Sequence, residues 1–407
     1  MKIFFVGAHP QIGTGYARMT NKITNYLANI PDIEVICYAF DYVKGSEIKD
    51  RYVDSRIKIY DATQLSSGRD SLGIDYIGSI LSIEKPDVLF IYNNPVMAKK
   101  IMEAIPLQYI PPTKYLYLDI LYPWQSVSLY DFIKKCNFDH IFVFLEYWKN
   151  HLINDFGFSE TSISVLPQTI DFDMIKYVSP EEAKKQIGIK PTDYLIVNMN
   201  RNAWRKGWNI TISAFLEFLK RCDMDSSIKL MCGCDIYNSY GYDIKLLIEI
   251  ECTRLNIDIN KVMREHIITH KNSMTGDDSY IYKVYNAGDI GLNTCTGEGF
   301  GLTTLEHLAH GKPQIVSGVP ALKETIGEYT TVIEPDLILS YPPYEAYIGG
   351  QVAYIDYKKV AEQIEFHYKN RSVIPDVSDK LKLKYSPENA YKVLDRFFTN
   401  GTVPASK

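Results

Sequence analysis

Long apolar runs are missing from this chain. Nowhere do the roughly 18 consecutive apolar residues of a membrane-spanning helix occur. The opening stretch, MKIFFVGAHP, has a single basic residue and only four apolar residues ahead of Gly7, which marks a first β-strand rather than a secretory leader. Cysteines are few and unframed. The seven are odd in number and scattered, which excludes a disulfide scaffold and points to free thiols in a reducing compartment, so a cytoplasmic location is expected. Excess positive charge is also lacking. With 44 Lys and Arg against 49 Asp and Glu, the net charge of −5 excludes a nucleic-acid binder built on a basic stripe. Low-complexity tracts are absent. What is present, 46% hydrophobic and 23% charged residues over 407 positions, describes a soluble globular chain with room for two domains of roughly 150–200 residues each.

Short β-branched or aromatic runs alternate with helical patterns through most of the chain. Residues 2–6, 33–40, 87–92, 114–120, 140–145 and 163–167 read as strands, and between the first two Met19, Ile23, Leu27 and Ile30 fall at helical spacing. A break follows at about 171–192, where Ser179, Pro180 and Glu182 carry the signature of a capped helix start. The alternation then restarts with strands at 194–200, 228–233, 266–269, 289–294 and 314–317 and helices at about 208–222 and 243–255. Helices at about 357–370 and 387–399 end the chain, and the segment 338–355 shows no period. Alternating strands and helices imply parallel sheets closed by right-handed crossovers. The expected class is therefore α/β, with two doubly wound domains. Ligands of such sheets sit beyond the carboxyl ends of the strands, so each strand-to-helix turn is a candidate wall of a site.

Four turns stand out. Gly13 and Gly15 follow the first strand; they fit an anion held at a helix start, and equally a tight turn chosen for geometry, since Arg18 stands where a dinucleotide fingerprint has its third glycine. The stretch NRNAWRKGWN places Arg201, Arg205 and Lys206 ahead of Gly207 and a helix. Cations there oppose the helix dipole unless an anion lies between them, which points to a phosphate group, with a solvated basic loop as the plain alternative. EGFGLTTLEHLAHGKP, residues 298–313, sets Glu298 before a Gly299-Phe300-Gly301 turn and places Glu306 two helical turns on, ending in Gly311 and Pro313. Leu302, Leu305 and Ala309 would face inward, with Glu306 at the rim of that stripe, where a carboxylate suits the vicinal hydroxyls of a ribose. The last turn, in TKYLYLDILYPWQS, offers Tyr115, Tyr117, Tyr122, Trp124 and Asp119 as an acceptor groove, although aromatics in a strand more often belong to a core. Asp171 and Asp173, the cysteines around Cys232 and Cys234, and the pair His307 and His310 lack the partners of a metal centre, so no metal site is expected.

With these residues assembled, the sequence resembles the GT-B retaining glycosyltransferases, specifically the large family 4 of nucleotide-sugar-dependent enzymes. EGFGLTTLEHLAHGKPQI is similar to that family's E-G-F-G-L-x-x-x-E signature, with the same E-x₇-E spacing, and IYKVYNAGDIGLNT to its strand entry. Arg201-x₄-Lys206-Gly207 resembles the family's diphosphate-gripping pair, and Gly13 and Gly15 its N-terminal glycine loop. The resemblance implies two Rossmann-like domains facing across a cleft: residues 1–175 as the acceptor side, completed by a returning helix at 385–407, and residues 176–384 as the donor side. It implies transfer of a hexose-type sugar, with retained configuration and without a metal, from a nucleotide-diphosphate sugar to a glycan or other hydroxyl acceptor.

In that scheme Arg201, Lys206 and Glu298 are catalytic. Glu306 holds the ribose, and the backbone of Gly299, Phe300, Gly301, Leu302 and Thr303 contacts the donor. A loop at about 270–276, including Lys271 and Ser273, meets the base, and GDP-sugars are favoured over UDP-sugars. Leu118-Asp119 departs from the family's His-Asp pair, Thr169-Ile170-Asp171 from its Asn-Gly before the interdomain Asp, and His307 from its alanine. A nucleotide-sugar epimerase of the same architecture and a sugar-nucleotide-binding protein with a decayed acceptor site are the alternatives.

Overall fold

The computed structural model describes residues 1–45, 47–48, 51–66, 72–237, 241–269, 278–342, 349–374 and 376–399. The chain divides into two compact units. One comprises Met1–Thr169, Tyr341–Gly350 and Lys384–Lys407; the other comprises Ile170–Ser340 and Gln351–Leu383. The short passage Tyr341–Gly350 in the first unit carries no sequence signal.

The first unit is built on strands β1 (Lys2–Ala8), β2 (Glu34–Phe40), β3 (Lys58–Asp61), β4 (Val88–Asn93), β5 (Thr113–Leu118), β6 (His140–Val143) and β7 (Ile163–Val165). They pair in parallel in the order β3-β2-β1-β4-β5-β6-β7, which reverses direction between β1 and β4. The central strands are buried on both faces, so they read as continuous apolar runs such as IFFV and VLFIY rather than alternating ones. Their aromatics stack through the core. Phe90 meets Tyr115 edge-on at 6.1 Å, and Tyr92 stacks on Tyr117 at 4.8 Å. The last helix, Lys392–Phe398, returns to this sheet, setting Phe398 5.6 Å from Tyr115 and Phe397 5.5 Å from it. Pro387–Ala390 forms a separate short helix just ahead, so the 387–399 segment is broken where one helix is expected.

The second unit holds β8 (Tyr194–Asn198), β9 (Ile228–Cys232), β10 (Ile267–Thr269), β11 (Ile290–Asn293), β12 (Gln314–Ser317) and β13 (Thr331–Ile333). Its parallel order is β10-β9-β8-β11-β12-β13, with the reversal between β8 and β11. Ser179 caps the Pro180–Gln186 helix through the Glu182 amide, as the sequence signals. The Trp208–Arg221 helix packs on this sheet because Ile212, Phe215, Leu216 and Leu219 recur on one face, and all are fully buried with Ile196, Leu230 and Ile290. Each such side chain stabilises the fold by roughly 1.5–3 kcal/mol on leaving water. A further pair, β14 (Leu337–Tyr341) and β15 (Gly350–Tyr354), forms the two-stranded sheet in the segment that shows no sequence period. Among the described residues, no helix is long and apolar enough to cross a membrane.

Candidate active site in the second unit

The turns after β8 and β11 flank the point where strand order reverses, the place where an open parallel sheet leaves room for a ligand. Several hydrogen bonds stitch them together. Thr294 Oγ1 donates to the Gly207 carbonyl (2.8 Å), Thr211 and Thr294 share a hydroxyl contact (2.7 Å), and the Thr296 amide donates to the Arg205 carbonyl (2.8 Å). Gly207 is obligatory here. It turns at φ +62°, and a Cβ would lie 2.1 Å from the Thr294 carbonyl oxygen. The turn Trp204–Lys206 is thereby held against the neighbouring loop.

The two loops bring Lys206, Arg205 and Glu298 together. Lys206 and Glu298 are each only 7% exposed and form a direct ion pair through Nζ and Oε2. Arg205 Nη1 reaches Glu298 Oε1 at 3.2 Å and the Gly297 carbonyl at 3.1 Å, and the Gly299 amide also donates to Oε1 at 3.2 Å. Burial alone would raise the Glu298 pKa. The charges of Arg205 and Lys206 and the hydrogen bonds from Lys206 and Gly299 together outweigh it, holding the carboxyl at about 2. Burial, then the neighbouring Arg205, pull Lys206 below the usual lysine range, against the opposing charge of Glu298. Glu298 thus fills a place between two cations that suits an anion.

Arg201, expected to pair with Lys206, is exposed, and its carbonyl accepts from Trp208 Nε1 (3.1 Å). Arg205, further along the same loop, carries the contact to Glu298. The signal for it was present in the Arg-Lys-Gly run: a single tight turn closed by a left-handed glycine carries both cations into one loop.

The Glu298–Gly301 turn feeds the Leu302–Ala309 helix. Gly301 caps it at φ +98°, where a Cβ would meet Leu322 Cδ2 at 2.4 Å. The Phe300 side chain is buried and its carbonyl accepts from Thr325 Oγ1 (2.9 Å), so Gly299, Phe300 and Gly301 offer a ligand their backbone rather than side chains. Leu302 and Thr303 are half-buried, and Thr303 Oγ1 donates to Asn200 Oδ1 at 3.4 Å. Leu305 and Ala309 face inward as expected. Glu306 does not sit at a rim. It is 1% exposed, and Tyr285 OH donates to its Oε2 at 3.3 Å. The Asp278–Ala287 helix brings Tyr285 against this carboxylate, a neighbour that the Leu302–Ala309 periodicity alone does not show. Lys271 and Ser273 lie outside the described residues.

In the first unit, Thr14 caps the Gly15–Ala28 helix, its hydroxyl accepting from the Ala17 amide (3.1 Å), and Gly13 and Gly15 lie at that helix start. Tyr16, one residue on, donates its hydroxyl to Asp119 Oδ2, and its ring stacks on Tyr92 at 4.9 Å. Asp119 is 6% exposed at the end of β5. Tyr115, Tyr117 and Tyr122 belong to the core instead of a groove; Tyr117 OH donates to the Leu166 carbonyl (2.7 Å). Trp124 alone of that aromatic set stands half-exposed, at φ +54°.

Residues 179–337 match the family model of the glycosyl transferases group 1. No curated protein matches the chain. Among solved structures, the fold is similar to Anabaena Alr3699/HepE in complex with UDP and glucose (TM-score 0.68, 13% identity, covering 98% of this chain and 100% of that one). It is also similar to sucrose-phosphate synthase from Thermosynechococcus elongatus (TM-score 0.71, 14% identity, 98% of each chain) and to a glycosyltransferase from Rickettsia africae (TM-score 0.64, 16% identity, 98% and 99%). Two Rossmann-like units of this kind define the GT-B class. Here the second unit carries the domain that matches the glycosyl transferases group 1.

Proposed function

We propose that the enzyme moves a hexosyl group from a nucleotide-diphosphate sugar to a hydroxyl acceptor with retention of configuration. The observation that carries this is the buried Lys206–Glu298–Arg205 cluster at the switch point of the second sheet. A diphosphate entering there meets two cations fixed by backbone hydrogen bonds before it arrives. Stabilising the charge that grows on the leaving diphosphate with groups already in place is typically the largest electrostatic contribution to such a reaction. Glu298, once it shares Lys206 and Arg205 with phosphate, has its carboxylate free to accept from hydroxyls of the donor sugar. The Gly299 and Gly301 backbone lies at the start of a helix, where partial positive charge favours phosphate. For Glu306 to accept the two ribose hydroxyls, its contact with Tyr285 must be exchanged for them. Attack comes from the face the diphosphate leaves, and the departing phosphate oxygen takes the acceptor's proton.

Arg201 and Lys206 are the cations the family spacing assigns to the diphosphate; the geometry supports Lys206 with Arg205, leaving Arg201 for a ligand's outer edge. Protein cations in place of a metal ion is the mechanism favoured here, and turnover that survives a chelator is its test. A cytoplasmic site of action goes with the seven free thiols. For the base, we take UDP as the first candidate, because a similar structure is described with UDP and with UDP-glucose, while nothing favours the GDP expected from the sequence.

Incubation with UDP-hexoses and GDP-hexoses, reading transfer or slow donor hydrolysis by released nucleoside diphosphate, tests the proposal. Release from one of them is expected. Recovery of an epimerised sugar, or binding with no release from any donor, would overturn it.

A further inference from the structure

At the opposite edge of the same sheet, where β8, β11 and β12 begin, a pocket of about 570 Å³ opens between Tyr194, Asp289, Lys312 and Arg371. That size lies within the range that takes small organic ligands. Lys312 is 7% exposed, and its ammonium makes no hydrogen bond or ion pair among the described residues. One wall carboxylate is already engaged, since Asp289 Oδ2 accepts from Lys184 Nζ at 2.7 Å and from the Leu195 amide at 2.6 Å. Asp376 is exposed and spends its Oδ1 on the Ser378 amide at 2.9 Å. Arg371, in the left-handed region at φ +45°, lies over the rings of Tyr194 (5.1 Å) and Tyr368 (4.8 Å) and has no ion pair with a carboxylate among the described residues.

A cation near the carboxyl end of a helix is favourable, and Lys312 follows the Leu302–Ala309 helix. That accounts for a lysine on the surface there. It does not account for a buried ammonium without a direct hydrogen bond or ion pair among the described residues, which costs free energy; burial draws its pKa down to about 8, against the charges of Asp289 and Glu181. Two cations without an ion pair among the described residues line one pocket together with Ser372 and Ser378, a surface complementary to a tetrahedral dianion. We infer that this pocket binds a phosphate group, free or carried on a small ester of about hexose-phosphate size, at the edge of the sheet remote from the Lys206 site. The His310 end of the Leu302–Ala309 helix lines this pocket while its Gly301 end adjoins Glu298, so one helix links the two sites.

The test is calorimetric titration of the full chain with glucose 6-phosphate, inorganic phosphate and glucose, each without nucleotide and again with UDP present. Glucose 6-phosphate or inorganic phosphate should bind in both conditions, glucose should not, and the tighter of the two phosphates identifies the source. Lys312→Met, which keeps the volume and removes the charge, should weaken that binding at least tenfold with nucleotide binding unchanged. Arg371→Asn, which tolerates the left-handed backbone at an exposed position, should weaken it as well and carries the test if the lysine variant fails to fold. Loss of phosphate binding when UDP is added, equal binding in both variants, or no binding of either phosphate would overturn the inference. These outcomes do not depend on turnover, so they are distinct from failure of the transferase proposal.

Discussion

The two units share a strand order over six strands, to which the first adds β7 at its edge, and differ in what they place beside the reversal. In the second, the turn after β8 and the turn after β11 present a lysine, an arginine and a glutamate in a buried ionic cluster. In the first, the helix after β1 and the end of β5 present a tyrosine hydroxyl on a carboxylate, backed by stacked tyrosines. One topology thus carries two chemistries. Fixed cations suit a diphosphate, whereas Tyr16 and Asp119 suit neutral hydroxyls, which a carboxylate recognises by accepting hydrogen bonds.

The sharpest way to break this contrast is Lys206→Ala. Its loss should lower turnover by about 10²–10³-fold. It should also destabilise the fold by roughly 3 kcal/mol, because Glu298 is then buried with only Arg205 beside it. A cation near a helix start opposes the helix dipole, but the pairing of Lys206 with Glu298 outweighs that cost. Turnover and urea unfolding of the same variant check both. Asp119→Asn should behave in the opposite manner, losing roughly tenfold to hundredfold in kcat/KM, as expected for one charged hydrogen bond, while nucleoside diphosphate affinity stays at the wild-type value. Weakened nucleotide binding in that variant would erase the division between the units.

Acid sensitivity sharpens the comparison further. Burial pulls His310 in the second unit and His140 in the first from 6.5 down to about 4. Their folded pKa values lie below the unfolded ones, so the unfolded chain takes up protons first. Stability is therefore full above about pH 6.5 and declines as pH falls toward 4. His310→Gln should remove on the order of 2 kcal/mol of the decline between pH 7 and 5, read from urea midpoints at several pH values. The smallest effect is expected at Arg201→Ala. Its side chain is exposed, so stability should move by no more than about 0.5 kcal/mol. A loss of turnover in Arg201→Ala as large as in Lys206→Ala would give Arg201 the role the family spacing assigns it.

Much of this was legible in the sequence. Strands buried on both faces, such as IFFV and YLIVN, announce themselves by unbroken apolar runs, and Gly207 and Gly301 mark turns that only glycine completes. The strands that escaped notice are short or exposed. β3 is four residues of half-buried KIYD, β13 is three residues, and every residue of β14 is exposed, so none carries a period to read. Two details of the site were hidden for another reason. Pairing of Arg205 with Glu298, and burial of Glu306 under Tyr285, depend on contacts between segments about 90 and 20 residues apart, which spacing along the chain does not encode.

The most direct measurement compares affinities of a nucleoside diphosphate and its monophosphate, for whichever base binds, in wild type and in Lys206→Ala. Wild type should prefer the diphosphate strongly, and the variant should lose most of that preference while keeping its affinity for the monophosphate. An undiminished preference for the diphosphate in Lys206→Ala would show that the second phosphate lies elsewhere, and that the buried Lys206–Glu298–Arg205 cluster serves the fold alone.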